Sequence, residues 1–161
     1  MDDHQQIRDV LARYVRATDN HDGKRQADLF TEDGVIGYYS RAGFEEYQCF
    51  QDPSRGRERI RADVGGRSLP EGTRLHHLTT DHIIEVDGDD ASLTAQFLVI
   101  QASGPKDAPV AWQGGAFGLR GQARITMIGF YDGRLRRVGG EWQFSRLEVQ
   151  HSLPLVALPP A

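Results

Sequence analysis

Ile7, Val10, Leu11, Tyr14 and Val15, joined by Thr18, recur every three to four positions and predict an amphipathic helix from about Asp3 to Thr18 or Asp19. At about 100° per residue, Asp19 falls on the edge of that apolar stripe, next to Val15, and not on the solvent side. The segment "NHDG" breaks the helix, and Asp22 then serves as the N-cap of a second short helix running through Phe30. After the turn "TEDG", "VIGYY" reads as a short strand ending at Tyr38 or Tyr39. Between Cys49 and Leu69, glycine and proline punctuate both sides of one short helix around Arg55 to Val64, set in a mobile segment. From Thr73 the period changes to two. "LHHLTTDHIIEV", the turn "DGDD" and "ASLTAQFLVIQA" form a long hairpin. A third strand is expected from about Gly118 to Phe130 and a fourth from Glu141 to His151, with "RRVGGE" turning between them. Helices followed by long antiparallel strands make an α+β plan, with the helices on one face of a curved sheet that leaves a pocket.

With 161 residues and no linker, the chain has the size of one core, expected over residues 1–151, followed by an apolar, proline-rich tail at 152–161. Proline bars that tail from extending a strand, so it is expected to cap the pocket mouth or dock on a neighbouring subunit. The net charge is only −4 and basic residues are scattered among acidic ones, which argues against nucleic acid. The opening "MDDHQQIRDV" has no basic start or apolar signal core, and no apolar run is long enough for a bilayer, so a soluble, cytoplasmic protein without membrane contact is expected. Cys49 is the only cysteine, which excludes a disulfide framework and a cysteine-rich zinc site and leaves it as filler. Gly115, Gly118 and Gly121 in "QGGAFGLRG" lack the strand and helix of a phosphate loop and read as a bend or bulge.

Two residues carry the candidate chemistry. Asp19 ends the first helix and His77 lies early in the hairpin, and a carboxylate that orients an imidazole is a minimal device for moving protons near neutral pH. A tyrosine such as Tyr38 can hydrogen-bond an enolate as charge develops on its oxygen. Tyr14, on the helix stripe, is the second candidate substrate-binding residue. Such a site requires no metal and no organic cofactor. The structural readings that compete are a helix-capping Asp19, a satisfied strand histidine at 77 and a core or rim Tyr38. A metal site in "HHLTTDH" is not expected, because His76 and His77 point to opposite faces and His82, at odd spacing from His77, joins the other face. Trp112, Phe117 and Trp142 line the pocket or fill the core. Arg146 and Glu148 share the parity of Trp142 and Phe144, which makes them a buried polar pair or a pair near the rim.

The segments "IRDVLARYVRATDNHDGKRQADLFTEDGVIGYY", "TRLHHLTTDHIIEVDGDDASLTAQFLV" and "GFYDGRLRRVGGEWQFSRLEVQ" resemble the SnoaL-like group of the nuclear transport factor 2-like superfamily, which includes polyketide cyclases and scytalone dehydratase. The resemblance covers most of the chain apart from the middle segment and the tail. It implies Asp19 as the acid that orients the histidine, His77 as the proton-transferring group, and Tyr38 as a tyrosine that binds a substrate carbonyl through water. It also implies a homodimer or trimer. Thr18 stands where the dehydratase has a second tyrosine, the region near Gln101 lacks its second histidine, and Ile125 and Met127 replace a serine and an asparagine. These departures point away from scytalone itself.

The expectation is therefore a cone-shaped barrel of strongly curved antiparallel sheet with helices packed on one face. Its expected activity is that of a cofactor-independent lyase or isomerase acting on a small, mostly apolar, hydroxylated or ketonic ring compound. The competing class is a non-catalytic ligand-binding or assembly module, as in the small subunits of ring-hydroxylating oxygenases. The two separate on whether Asp19 and His77 meet at an open pocket.

Overall fold

The computed structural model describes residues 2–105, 118 and 120–155. Trp112, Gly115, Phe117 and the tail from 156 onward lie outside the described residues.

The first helix, α1 (Asp3–Asp19), starts where Asp2 accepts a hydrogen bond from the backbone N–H of Gln5, and it buries Ile7, Val10, Leu11, Tyr14, Val15, Ala17 and Thr18. Its periodic stripe is thus the buried face, as expected. The second, α2 (Gly23–Asp28), is capped by Asp22, whose side chain accepts from the N–H of Arg25. A third, α3 (Arg57–Gly65), buries Ile60 and Val64. Among the described residues, no helix is long and apolar enough to cross a membrane.

Six strands follow one curled sheet: β1 (Phe30–Ser40), β2 (Gln48–Arg55), β3 (Thr73–Asp87), β4 (Asp90–Ser103), β5 (Gln122–Val138) and β6 (Glu141–His151). They are ordered β2-β1-β6-β5-β4-β3, so the sheet curls without closing, and β2 and β3 are its edges. All neighbours are antiparallel except β1 and β6, which run parallel and make the sheet mixed. The helices pack against it, α1 on β3 and β6, and α3 on β1, β2 and α2. Between the layers, Tyr14 contacts Phe30, Tyr131 and Phe144 edge-on, with ring centroids 5.8–6.1 Å apart.

Several boundaries differ from the sequence reading. The residues "TEDG" lie within β1, which begins at Phe30 and carries a register shift between Phe30 and Val35. β2 was not expected at all. It is an edge strand containing Pro53, and proline is tolerated there because one side of the strand needs no ladder donor. β5 starts at Gln122 and runs well beyond Phe130, and the turn back into β6 is confined to Gly139 and Gly140, both at positive φ.

Bulges in β3, β5 and β6 reverse side-chain parity, because an extra residue on one strand flips everything after it to the opposite face. In β3, Asp81 adopts φ 53° within a shift between Thr80 and Ile83, and this turns half-buried His82 to the inner face with His77. The expected placement of His82 on the other face is therefore corrected. In β6, a shift opposite Arg134 and Leu135 puts Phe144 and Leu147 inside and leaves Arg146 exposed. Arg146 and Glu148 consequently do not share the face of Trp142 and Phe144; they pair with each other on the outer side, beside the Tyr39 hydroxyl. In β4 and β5, a shift between Val99 and Ile100 sends Ile125 outward, 64% exposed, and keeps Met127 inward.

Trp142 fills the core, and its indole N–H donates to Asp3 at 3.2 Å while Arg137 lies 4.3 Å over the ring. The start of α1 is thereby tied to the β5–β6 turn. Leu11, fully buried, lies where helix meets sheet. Truncation to alanine is expected to cost about 2–5 kcal/mol in chemical denaturation. The same truncation at Phe44, 99% exposed, is expected to cost less than about 0.5 kcal/mol.

Candidate functional site

The first helix ends on Asp19, and β3 brings His77 beside it. Because β3 is a sheet edge, the outward N–H of His77 has no strand partner, and the Asp19 carboxylate takes that place. Its Oδ2 accepts from the His77 backbone N–H at 3.0 Å, and its Oδ1 meets ring Nδ1 at 2.5 Å. With a carboxylate acceptor beside it, Nδ1 is the nitrogen that carries a hydrogen, which in the neutral ring makes Nε2 the one with a free lone pair. The side chains are only 16% and 10% exposed, so the pair is shielded from screening.

His77 lines a cavity of about 390 Å³ between α1 and the sheet, and Asp19 stands behind the ring. Tyr14 and Thr18 reach the cavity from α1, Tyr38 from β1, Phe50 and Gln51 from β2, Met127 and Tyr131 from β5, and Val149 and His151 from β6. The stretch Arg67–Leu69 after α3 and Leu155 border it as well. Asp19, His77, Tyr38 and Tyr14 are thus brought to one place. Burial, reinforced by the neighbouring Tyr38, pushes the Tyr14 phenol well above the usual range and keeps it protonated. Tyr131 shifts the same way, by burial and then by Tyr14 and Asp19.

The Tyr38 hydroxyl lies 3.2 Å from Ser54 Oγ, and Ser54 donates to Asp63 Oδ2 at 2.5 Å. Arg59 Nε also donates to Asp63 Oδ2, at 2.9 Å. Sequence pattern singles out neither residue: the strand carrying Ser54 is not evident from it, and Asp63, on the expected helix, gains its partner only when that strand packs beside α3.

His151 was missed too. Simple alternation from Trp142 and Phe144 places it outside, whereas the β6 bulge turns it inward with Leu147 and Val149. The signal was its even spacing from those two apolar residues. It is 7% exposed, packs edge-on to Phe97 at 5.6 Å and near Phe50 at 5.8 Å, and its Nδ1 has no partner among the described residues. Burial, and then repulsion from His77, push its pKa down to about 4, so the ring is neutral at physiological pH. Close packing is possible because Gly129 lies opposite: a Cβ there would run into the backbone carbonyl of Gln150. His82, though turned inward, bonds Thr79 within β3 at 3.2 Å. Among the described residues, no three His, Cys, Asp or Glu side chains gather as a metal-binding set.

A SnoaL-like domain matches residues 1–148. The chain belongs to the SnoaL-like family. Among proteins of curated function, none matches it in sequence. Solved structures are similar in fold. An NTF2-like protein with a cystatin-like fold from Novosphingobium aromaticivorans is 20% identical over 92% of this chain and 81% of its own, with a TM-score of 0.68. The β subunit of a candidate aromatic-ring-hydroxylating dioxygenase from the same organism is 19% identical over 95% and 91%, with a TM-score of 0.69. A candidate scytalone dehydratase, also from that organism, is 19% identical over 93% and 84%, with a TM-score of 0.65. At these identities the likeness establishes the NTF2-like, cystatin-like architecture of this SnoaL-like chain.

The SnoaL-like cavity carries a pH signature through His151. Between its ordinary value of 6.5 and about 4, the unfolded chain binds a proton at this ring that the folded chain does not. Stability is therefore expected to fall as pH drops through that window, with no contribution to the slope above it. Denaturant midpoints measured from pH 7 to 4 should fall less steeply for His151→Gln than for the parent chain.

Proposed function

We propose that this chain is a cofactor-independent lyase or isomerase of the dehydratase or cyclase kind, acting on a small hydroxylated or ketonic ring compound. His77 Nε2 removes a proton next to a carbonyl, and Asp19 orients the ring and supplies a counter-charge once Nε2 has taken that proton. Tyr38 and Tyr14 contact the substrate. The observation that carries the reading is the double grip of Asp19 on the N–H and ring Nδ1 of His77, with the ring lining an open cavity. The apolar and aromatic walls suit a ring compound and exclude water from the transfer. Base and counter-charge both come from side chains, so the step requires no metal or organic cofactor.

A second reading, a non-catalytic binding or assembly module, is favoured by one observation. On the convex side of the sheet, Leu78, Leu98 and Ile128 lie in one cross-strand row, with Leu78 and Ile128 exposed and Phe130 nearby. Such a row suits contact with another subunit. In the enzyme reading the same face joins copies of this chain into a dimer or trimer, in a cytoplasmic setting without nucleic acid or membrane as partners.

A panel of small cyclic ketones and hydroxy-ketones, followed for solvent deuterium exchange at the α carbon, tests the chemistry. At least one compound should exchange faster with the protein than without it. His77→Asn should lower that rate by about 10²- to 10⁴-fold. Asp19→Asn, which offers an amide in place of the carboxylate and disturbs the tautomer, should do the same with an intact fold by circular dichroism. Undiminished exchange in His77→Asn would remove the enzyme reading. Sedimentation should show an oligomer that Ile128→Glu dissociates; a monomeric parent chain would remove the subunit contact.

A further inference from the structure

Of the roles expected for Tyr38, a direct hydrogen bond to an enolate or carbonyl oxygen requires its hydroxyl hydrogen, and the structure engages that hydrogen elsewhere. Ser54 is fully buried on β2, in the pair of strands where Ile36 opposes it and Tyr38 follows. It has one hydrogen to give, and that hydrogen goes to Asp63 Oδ2 at 2.5 Å. Asp63, held by Arg59 four residues earlier on α3, has only acceptor oxygens to offer. The 3.2 Å contact between Ser54 Oγ and the Tyr38 hydroxyl is then filled in one direction only: Tyr38 donates and Ser54 accepts.

We propose that Ser54 and Asp63 turn Tyr38 into a hydrogen-bond acceptor toward the cavity, so that the ligand group seated against it is a hydroxyl and not a bare carbonyl or ether oxygen. Two lone pairs facing a group without a hydrogen would leave a buried polar atom unmatched, and that mismatch discriminates more strongly than a good hydrogen bond attracts. Within this cavity the Tyr14 phenol, which burial and the neighbouring Tyr38 keep protonated, is one donor available to a carbonyl. The substrate class is narrowed accordingly to hydroxylated rings, with any carbonyl placed away from Tyr38. Ser54 acts through Tyr38 and is a positioning residue. The inference rests on the reading of the cavity as the ligand site.

Calorimetric binding of 2-naphthol and of 2-methoxynaphthalene tests it, since the two differ by the hydrogen in question. The parent chain should bind the naphthol about 10- to 100-fold more tightly. Ser54→Ala frees the Tyr38 hydrogen and should bring the ratio to within about threefold of unity, chiefly by tightening the ether. Tyr38→Phe, which keeps the ring packing, should also abolish the preference and serves if Ser54→Ala does not fold. Equal affinities in the parent chain, no measurable binding of either probe, or an unchanged ratio in a folded Ser54→Ala or Tyr38→Phe protein would overturn the proposal. The assay involves no turnover. A chain that prefers the naphthol yet exchanges no deuterium retains this inference and loses the enzyme reading; one that exchanges deuterium without the preference loses this inference alone.

Discussion

The contact between Asp19 and His77 joins the end of α1 to an edge strand, and the site depends on it. A carboxylate in the last turn of a helix opposes the helix dipole, at a cost of about 0.3–1 kcal/mol. A charge-assisted hydrogen bond is worth about 1.5–3 kcal/mol, and Asp19 receives one from the backbone N–H and one from the ring of His77. The tertiary contacts therefore outweigh the local penalty. The same bonds satisfy an edge N–H and fix the ring, so the interaction that closes helix onto sheet also orients the imidazole.

Around that contact the cavity sets two histidines in unlike surroundings. His77 has a carboxylate on its Nδ1, while His151 has aromatic rings on two sides and, among the described residues, no partner on its Nδ1. Two imidazoles made this different by their neighbours suit different jobs: in the proposed reaction His77 accepts the proton with a counter-charge at hand, while His151 stays neutral as a polar wall. Tyr14 and Tyr131 stay protonated for the same reason of burial. The SnoaL-like fold supplies the hollow, and the identity of these few side chains supplies its chemistry.

Sheet irregularities decide which residues reach that hollow. Bulges in β3, β5 and β6 turn His82 and His151 inward, keep Met127 at the cavity and send Ile125 out. The edge strand β2 adds Phe50 and Gln51, and sets buried Ser54 behind Tyr38, from a stretch whose proline and exposed residues hide any alternation.

Much was legible in the chain before folding. The period of Ile7 to Thr18 dictated α1 and set Asp19 at its end, and the alternation after Thr73 dictated the hairpin bearing His77, because each pattern has one low-energy way to bury its apolar face. The residue types of Asp19 and His77 and the family resemblance suggested their pairing, but that the two, 58 residues apart, share two hydrogen bonds was decided by the packing of α1 against β3. The parity of His82, Arg146 and His151, the parallel pairing of β1 with β6, and the Tyr38–Ser54–Asp63 chain were not readable from pattern. A bulge is one extra residue accommodated by neighbouring strands, and a hydrogen-bond chain across β1, β2 and α3 exists only once those elements are packed. Local periodicity determines what each segment buries; the packed sheet determines which polar groups then face one another.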